Sequence, residues 1–261
     1  MFDSIAISSN SQAMSSPSLS QRIIGRLFRT GTPQLQRHVA DMVARSSEEI
    51  TYNRLIENGF APNTIIDVGA YQGEWTRLAN RVFGAMPMLM VEAQPGLRAG
   101  LDKLISELPH VKCESTVLGA TAGQDVTFYE MGTGSSFLPE ASDAPRKELQ
   151  LKTRTLDDVA AEHLEPVDNV FLKIDVQGAE LQVLQGASAL LERTGLVQLE
   201  TAMLQYNEGA PLLPDVVAFM AERGFFPTEV SGFSRPRNHL VQIDILFAKA
   251  GSVLRPEFFN F

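Results

Sequence analysis

The sequence predicts a doubly wound α/β fold with a mainly parallel, seven-stranded sheet and an N-terminal helical extension. Two stretches, residues 65–82 and 171–187, carry the same order of features. Each has an apolar run that ends in an aspartate, then a glycine turn, then apolar residues at helical spacing. The carboxyl ends of parallel strands meet at one edge of a sheet, where open α/β sheets bind their ligands. We therefore expect Asp67 and Asp175 to lie close together at that edge.

The remaining pattern alternates short apolar runs with helical periodicity, as a doubly wound sheet requires. We expect seven main strands, the last of them antiparallel, at 64–68, 88–91, 111–117, 171–175, 196–199, 226–230 and 241–248. Two further β segments are expected at 126–129 and 149–153. Helices are expected at 47–57, after Gly73, at 96–108, after a Thr155 cap, at 180–187 and at 213–223.

Composition and charge restrict the class of protein. The chain has 261 residues, 44% of them hydrophobic, and a net charge of −9. An acidic chain repels nucleic-acid phosphates and anionic lipids, so we expect no nucleic-acid or membrane partner. The single cysteine, Cys113, fits a reducing compartment. With no secretory signal pattern and no apolar run of membrane-spanning length, we expect a cytoplasmic protein.

Four segments are expected along the chain. Residues 1–20 are rich in Ser, Asn and Gln near their end, which predicts disorder. Residues 21–60 have helical patterns and form the extension, residues 61–250 form the main domain, and residues 251–261 form a C-terminal tail. From its pattern alone, the extension is interpreted as simple packing against the sheet.

Three motifs together resemble a known family. They are Asp67-Val68-Gly69-Ala70 with Gly73, then Val91-Glu92-Ala93-Gln94-Pro95, then Leu172-Lys173-Ile174-Asp175-Val176-Gln177-Gly178-Ala179-Glu180. In this order they resemble the motifs of FkbM-type S-adenosylmethionine-dependent methyltransferases, over residues 63–248. The resemblance implies a class I, Rossmann-like methyltransferase fold with S-adenosylmethionine as the cofactor. It also implies that the N-terminal extension covers the substrate or forms a homodimer contact, as alternatives to simple packing.

The resemblance also implies which residues bind the cofactor. The glycines would let the backbone approach its amino acid part, and Asp67 would orient that loop. The Glu92 carboxylate, 25 residues after Asp67, would accept hydrogen bonds from the ribose hydroxyls. Ser115 and Thr116 would lie near the adenine. The cofactor-binding residues implied are Asp67, Gly69, Ala70, Gly73, Glu92, Ala93, Ser115 and Asp175.

Catalysis of methyl transfer to a hydroxyl requires a group that takes the proton. The candidates are Asp175, Glu200 and His239, the last in the loop between the final two strands. A close pair of carboxylates raises the pKa of one of them, which suits the Asp175–Glu200 pair to this role. Alternatively the pair binds a divalent metal, because both residues supply hard oxygen ligands. No complete metal-ligand set is evident in the sequence.

The acceptor is expected to be a small molecule or a glycan. The loop 205–211 follows the fifth strand and is placed to contact it, with Tyr206 stacking on a sugar ring. Three other residues receive structural interpretations. Trp75 is expected in the core, Cys113 as a buried thiol, and Lys173 either as part of the family motif or as a partner of a carboxylate at the edge of the core.

Two other functions remain open at this point. A nicotinamide-cofactor oxidoreductase shares the glycine turn, but its Gly-x-Gly-x-x-Gly spacing is absent because the glycines fall at 69 and 73. A non-catalytic scaffold would keep the fold without turnover. The Gly and Ser tract at 132–136 resembles a phosphate loop, but no lysine follows it at the required spacing.

Overall fold

The computed structural model describes residues 31–35, 47–140, 145–256 and 258. The chain forms two compact units, Met1–Arg45 and Ser46–Phe261. In the smaller unit residues 33–35 are helical. The predicted disorder of residues 1–20, the helices expected between 21 and 45, and any homodimer contact through them lie outside the described residues.

The larger unit alternates helices and strands. Its α-helices are α1 (Ser47–Glu57), α2 (Glu74–Phe83), α3 (Arg98–Glu107), α4 (Leu156–His163), α5 (Glu180–Gln185), α6 (Ser188–Arg193) and α7 (Leu213–Ala221). Its strands are β1 (Thr64–Val68), β2 (Met88–Val91), β3 (Val111–Glu114), β4 (Val117–Leu118), β5 (Asp125–Glu130), β6 (Lys147–Arg154), β7 (Val170–Ile174), β8 (Thr194–Ala202), β9 (Phe225–Ser234) and β10 (Gln242–Lys249).

Seven strands form the main sheet in the order β3-β2-β1-β7-β8-β10-β9. The pairs among the first five strands are parallel, whereas β10 runs antiparallel to both β8 and β9. This confirms the predicted doubly wound, mainly parallel sheet with an antiparallel last strand. The strand order reverses its direction between β1 and β7, so the ends of these two strands open a crevice for a ligand.

The core fills both faces of the sheet. Helices α4 to α7 cover one face, and helices α1 to α3 cover the other. Phe171 of β7 lies at the centre of the second face, with its ring 5.6 to 6.0 Å from the rings of Tyr52, Phe60, Trp75 and Phe83. Burial of one such aromatic side chain contributes about 1.5–3 kcal/mol. The sheet is thus fixed firmly beneath its ligand-binding edge.

The predicted third strand, 111–117, was wrong in its extent. Strand β3 ends at Glu114, which pairs with Val91, the last residue of β2. Beyond this point β2 offers no partner, so the chain leaves the main sheet. Val117 and Leu118 form β4, which pairs with β6 in a second sheet of order β4-β6-β5. The two predicted β segments, at 126–129 and 149–153, belong to this second sheet.

Strand β8 is longer than predicted. It continues to Ala202 because the antiparallel β10 pairs with it along its whole second half, with Glu200 opposite Asp244. The prediction that Glu200 follows the end of a strand was therefore wrong, since Glu200 lies inside β8. The last strands are longer too, because β9 and β10 pair with each other from Phe225 to Ser234.

The helix predicted at 180–187 is divided in two. Helix α5 ends at Gln185, and α6 starts at Ser188. A β-carbon on Gly186 would lie 2.3 Å from the carbonyl oxygen of Gly119, so the chain packs closely at this turn. The Asp157 carboxylate accepts hydrogen bonds from the first amides of α6, at 3.0 and 2.8 Å. The predicted Thr155 cap of α4 is confirmed by its 3.2 Å bond from the Asp158 amide.

Helix α1, predicted as part of the extension, belongs to the larger unit. Its Tyr52 and Leu55 are buried in the core, and its Ser47 hydroxyl donates to the carbonyl oxygen of Ser231 in β9. Glu48 at its start faces the ligand-binding edge. Within the described part of the chain, we find no helix with the length and apolar character needed to cross a membrane.

Candidate active site

The ends of β1 and β7 touch at Gly69 and Asp175. The Asp175 amide donates to the Val68 carbonyl at 3.0 Å. Gly69 has a φ of +76°, and a β-carbon there would lie 1.8 Å from the carbonyl oxygen of Asp175. Only glycine satisfies both requirements. The glycine of the first motif thus permits the close approach of the two strand ends.

Gly73 ends the glycine loop and packs against α3. Its φ is also +76°, and a β-carbon there would lie 2.3 Å from the Leu104 side chain of α3. Its amide donates to the Ala70 carbonyl at 2.7 Å, which closes the loop before α2. The second glycine of the motif therefore positions α2 against α3.

A cavity of about 220 Å³ opens above the glycine loop. Of the predicted cofactor-binding residues, Gly69, Ala70, Glu92, Ala93 and Asp175 line it. Asp67, Gly73 and Ser115 do not. Asp67 and Gly73 lie beneath the loop and shape it. Ser115 is exposed, and its hydroxyl accepts a 3.3 Å hydrogen bond from Arg98, whereas its neighbour Thr116 lines the cavity.

Glu92 holds the shape of this cavity. It is only 5% exposed, and its carboxylate accepts hydrogen bonds from the amides of Tyr71 at 2.7 Å and Gln94 at 2.8 Å. Burial raises the pKa of this carboxyl group, and the two amide donors act in the opposite direction. Glu92 therefore ties the glycine loop of β1 to the end of β2 while its side chain still lines the cavity.

Sequence reasoning missed one wall of this cavity. The loop after β5, from Gly132 to Phe137, contributes Gly132, Thr133, Ser135, Ser136 and Phe137. The Gln94 side-chain amide donates to the Gly132 carbonyl at 3.2 Å. The Gly and Ser tract was noticed in the sequence, but only its packing against the end of β2 reveals that it faces the crevice.

Beneath the cavity a lysine joins two aspartates. Lys173 of β7 is buried, and its ammonium group lies 3.3 Å from Asp67 and 3.5 Å from Asp175. Burial opposes the charge of the lysine, but the two carboxylates more than offset it and raise its pKa. The interpretation of Lys173 as a carboxylate partner is confirmed. Its pairing with Asp67 fixes a charged group directly below the crevice.

A second cavity of about 360 Å³ adjoins the first. Both cavities are lined by Glu74, Trp75, Lys173 and Asp175. Trp75 is half-buried, so the prediction that it belongs to the core was only partly right. The other carboxylates of the second cavity come from α1, β8 and β10, so with α2 and β7 five separate elements converge there. The remaining lining residues are Glu48, Leu78, Gln198, Glu200 and Asp244.

The predicted pair of Asp175 and Glu200 is present, joined by an amide. Gln177 donates through Nε2 to Asp175 at 2.9 Å and also to Glu200. Burial raises the pKa of Glu200 well above its ordinary value, and the nearby Asp175 and Asp244 carboxylates add to this. Burial also raises the pKa of Asp244 to about 7, again with help from Asp175. Of the carboxyl groups in the second cavity, Asp244 therefore titrates near neutral pH.

The turn after β7 is held by Glu180. This buried carboxylate accepts 3.1 Å hydrogen bonds from the amides of Val176 and Gly178. Burial raises its pKa to about 7. Glu180 thus stabilises the turn between β7 and α5. The Asp175 side chain is left facing the two cavities.

Comparison with protein families agrees with this geometry. Residues 67–227, more than half of the chain, match the family described as the Methyltransferase FkbM domain. The chain belongs to this methyltransferase family. Its sheet has the class I methyltransferase arrangement that the resemblance implied. No curated protein sequence matches this chain significantly.

Solved methyltransferase structures resemble the chain at low identity. Precorrin-6y C5,15-methyltransferase from Geobacter metallireducens GS-15 has 15% identity and a TM-score of 0.42, over 77% of this chain and 85% of that chain. Magnesium protoporphyrin IX methyltransferase from Synechocystis PCC 6803, crystallised with bound S-adenosylmethionine, has 11% identity and a TM-score of 0.44, over 90% and 99%. Neither likeness identifies an acceptor for this FkbM methyltransferase.

Two residues predicted near the acceptor, His239 and Tyr206, line neither of the two cavities. His239 is exposed in the loop between β9 and β10, and it lines neither cavity. Its predicted role as a base thus receives no support from the fold. Tyr206 is half-buried, with its hydroxyl accepting a 3.0 Å hydrogen bond from Gln242, and it also lines neither cavity. The predicted stacking on a sugar would require this loop to rearrange.

The metal alternative assigned Asp175 and Glu200 as ligands of a divalent metal. Among the residues that the structure describes, no three His, Cys, Asp or Glu side chains are arranged to hold a metal ion. The Asp175–Glu200 pair instead shares the Gln177 amide.

Cys113 is buried as predicted, and burial raises the pKa of its thiol to about 11, which makes it a poor nucleophile.

Proposed function

We propose that this FkbM methyltransferase transfers a methyl group from S-adenosylmethionine to a hydroxyl group of a sugar, glycan or secondary metabolite. One observation carries the proposal: the Asp175 side chain lies on the wall that both cavities share. A base in that position faces the cofactor on one side and the acceptor on the other. Reacting atoms held about 3–3.5 Å apart gain most of the rate enhancement from positioning.

The first cavity fits the cofactor in its chemistry. Glycine at position 69 leaves backbone exposed to an amino acid group, and the Glu92 carboxylate retains lone pairs for ribose hydroxyls. Val117, Leu118 and Phe128 supply an apolar wall for an adenine ring. When bound, S-adenosylmethionine supplies an electrophilic methyl group. The protein has to orient that group toward the second cavity.

The second cavity suits a polyhydroxyl acceptor. Its carboxylates accept hydrogen bonds from hydroxyl groups, and the face of Trp75 provides an apolar surface for a ring. Asp175 would take the proton of the attacking hydroxyl as the new bond forms. Asp244, whose pKa is raised to about 7, keeps its proton up to about neutral pH and can donate it in a hydrogen bond to another hydroxyl oxygen of the acceptor.

The cofactor is tested first, by calorimetric titration with S-adenosylhomocysteine and, separately, with NAD⁺. We expect binding of the former alone. Binding of NAD⁺ with no heat from S-adenosylhomocysteine would contradict the proposal and favour the oxidoreductase alternative.

The acceptor is tested with methyl-labelled S-adenosylmethionine and a panel of free sugars, nucleotide sugars, oligosaccharides and hydroxylated polyketides. We expect label in one hydroxylated class, as an O-methyl group located by NMR. An amine panel run in parallel identifies N-methylation, which would overturn the hydroxyl assignment. A protein that binds S-adenosylhomocysteine and labels nothing in either panel or in an extract of its source cell would favour the scaffold alternative.

A further inference from the structure

The Gln177 side chain donates hydrogen bonds to both carboxylates of the proposed site, Asp175 and Glu200. Its Nε2 atom donates to Asp175 Oδ1 at 2.9 Å and to Glu200 Oε2. Asp175 lies just after β7, whereas Glu200 lies inside β8. The amide therefore links groups from two neighbouring strands, and both of its hydrogens are used for this purpose.

The backbone of Gln177 is held in an unfavourable conformation. Its φ is +55°, in the left-handed region that a residue with a β-carbon rarely adopts. The buried Asn207 donates through Nδ2 to the carbonyl of Gln177. On either side, Glu180 accepts the amides of Val176 and Gly178. Fixed contacts therefore maintain a strained residue, as is common at functional sites.

We propose that Gln177 is a positioning residue of the active site, whose side-chain amide holds Asp175 and Glu200 together at the junction of the two cavities. This inference rests on the proposed function, in which Asp175 takes the acceptor's proton. Without the bridge, two neighbouring carboxylates would repel each other and turn apart. The bridge thus keeps Asp175 in line between cofactor and acceptor.

The groups around Asp175 and Glu200 determine whether loss of the Gln177 amide raises or lowers the pH at which this pair titrates. A donor shared by two carboxylates favours their ionised forms, so its loss raises the pH at which the pair titrates. The groups that face the pair come from every adjacent element: Lys173 on β7, Glu180 on α5, Asp244 on β10, Glu48 on α1, Glu74 on α2 and Tyr206 in the following loop. Only Lys173 among them is cationic.

The test is a titration of the two carboxyl groups by carbon NMR, with the full chain saturated with S-adenosylhomocysteine. D175N and E200Q assign the two signals. In Q177M, which keeps the length of the side chain but has no amide, we expect the midpoint of the pair to rise by about one pH unit. Q177N, which tolerates the left-handed backbone but cannot reach both carboxylates, should show the same rise and serves if Q177M fails to fold. An unchanged midpoint in the variant that folds would overturn the inference.

The matched control is Q185M, at an exposed position at the end of α5. It makes the same chemical change away from the site, and its titration should match that of the wild type. A merely structural role for Gln177 would lower the melting temperature of Q177M without moving the midpoint. The rate is then measured against pH with the acceptor that the labelling panel identifies. The acidic limb of this pH–rate profile should move to higher pH by the same amount, while the KM for S-adenosylmethionine stays constant.

The two hypotheses fail in different ways. If no acceptor is ever labelled but the midpoint rises in Q177M, the proposed reaction fails and the carboxylate bridge stands. If methyl transfer occurs and the midpoint does not move, the reaction stands and the role of Gln177 is refuted.

Discussion

The α-carbon of Gly69 lies against the carbonyl oxygen of Asp175, so a β-carbon at position 69 would be 1.8 Å from that oxygen. This contact brings the end of β1 to the end of β7 and thereby forms the crevice. It also makes position 69 intolerant of any side chain, because neither backbone can withdraw without breaking the sheet.

We expect Gly69→Ala to destabilise the fold by about 4 kcal/mol or more, since it combines a backbone clash with a positive φ. The matched control is Gly123→Ala, at a glycine with a φ of +80° and no atom within 4 Å of the added carbon. That change should cost only about 1–2 kcal/mol, the conformational term alone. Urea unfolding of both variants measures the difference, and equal losses would contradict the close approach.

We expect the Glu92 carboxylate to strengthen the binding of the cofactor. The amides of Tyr71 and Gln94 bind different oxygens of Glu92, so Glu92→Gln keeps an acceptor for only one of them, and the ribose loses a charged acceptor. We expect S-adenosylhomocysteine to bind about 10 to 100 times more weakly, measured by calorimetry. Glu107→Gln, a half-exposed position on α3, is the control and should bind as the wild type does. Wild-type affinity in Glu92→Gln would remove Glu92 from the site.

Asp175 and Glu180 should separate turnover from folding. Asp175→Asn keeps the size and loses the base, so we expect the rate to fall by about 100-fold or more, with stability within about 1 kcal/mol of the wild type. Glu180→Ala leaves the buried amides of Val176 and Gly178 without an acceptor, which should cost about 2–4 kcal/mol.

Both quantities are measured on each purified variant, by labelled methyl transfer and by urea unfolding. Near-normal turnover of Asp175→Asn would remove Asp175 from catalysis. A loss of stability as large as that of Glu180→Ala would instead show that Asp175 has a structural role.

Lys173 and Asp67 form a buried ion pair in which each charge is stabilised by the other. In Lys173→Met the Asp67 carboxylate, 2% exposed, loses its counter-charge, which should cost about 3–5 kcal/mol. The double variant Asp67→Asn/Lys173→Met has no buried charge and should recover much of this loss. Additive losses in the double-mutant cycle would contradict the pairing.

The pH dependence of stability follows from the acidic groups. The pKa of Glu180 and that of Asp244 are each raised to about 7, above the values of about 4 expected in the unfolded chain. A raised folded pKa contributes stability that is fully present below pH 4 and is lost as pH rises through 7. We therefore expect the free energy of unfolding to fall between pH 5 and pH 8.

Urea unfolding at several pH values measures this slope. Asp244→Asn should flatten it, because its share of the proton release disappears, while Glu57→Gln at an exposed position should leave it unchanged. Stability that rises steadily from pH 5 to pH 8 would contradict the assigned burial of these carboxyl groups.

Local patterns in the sequence were sufficient for most of the fold. The runs ending at Asp67 and Asp175 predicted two buried parallel strands, because only the residues of a fully covered strand are apolar without alternation. Glycine at 69 and 73 indicated tight backbone, since a positive φ is a local property. Glu92 could be identified as a candidate ribose-binding acid because it follows the first motif at the spacing expected of such a residue.

Features that depend on pairing between distant segments were not predictable. The sequence shows no signal that β3 stops at Glu114, since that end is set by the length of β2. Likewise Glu200 follows an apolar run, but it lies within β8 because β10 returns beside it. His239 was a candidate by residue type alone, and the fold leaves it exposed.

The sequence by itself determined the order of the functional elements along the chain. They are a glycine loop, a buried acid after the second strand, and a carboxylate after the strand that follows the crossover. Only the tertiary structure decided which side chains share a cavity. Glu48 and Asp244 lie nearly 200 residues apart and meet beside Asp175. Contacts of this kind arise from sheet order and helix packing, which sum over the whole chain, whereas a motif reports only the conformation of its own few residues.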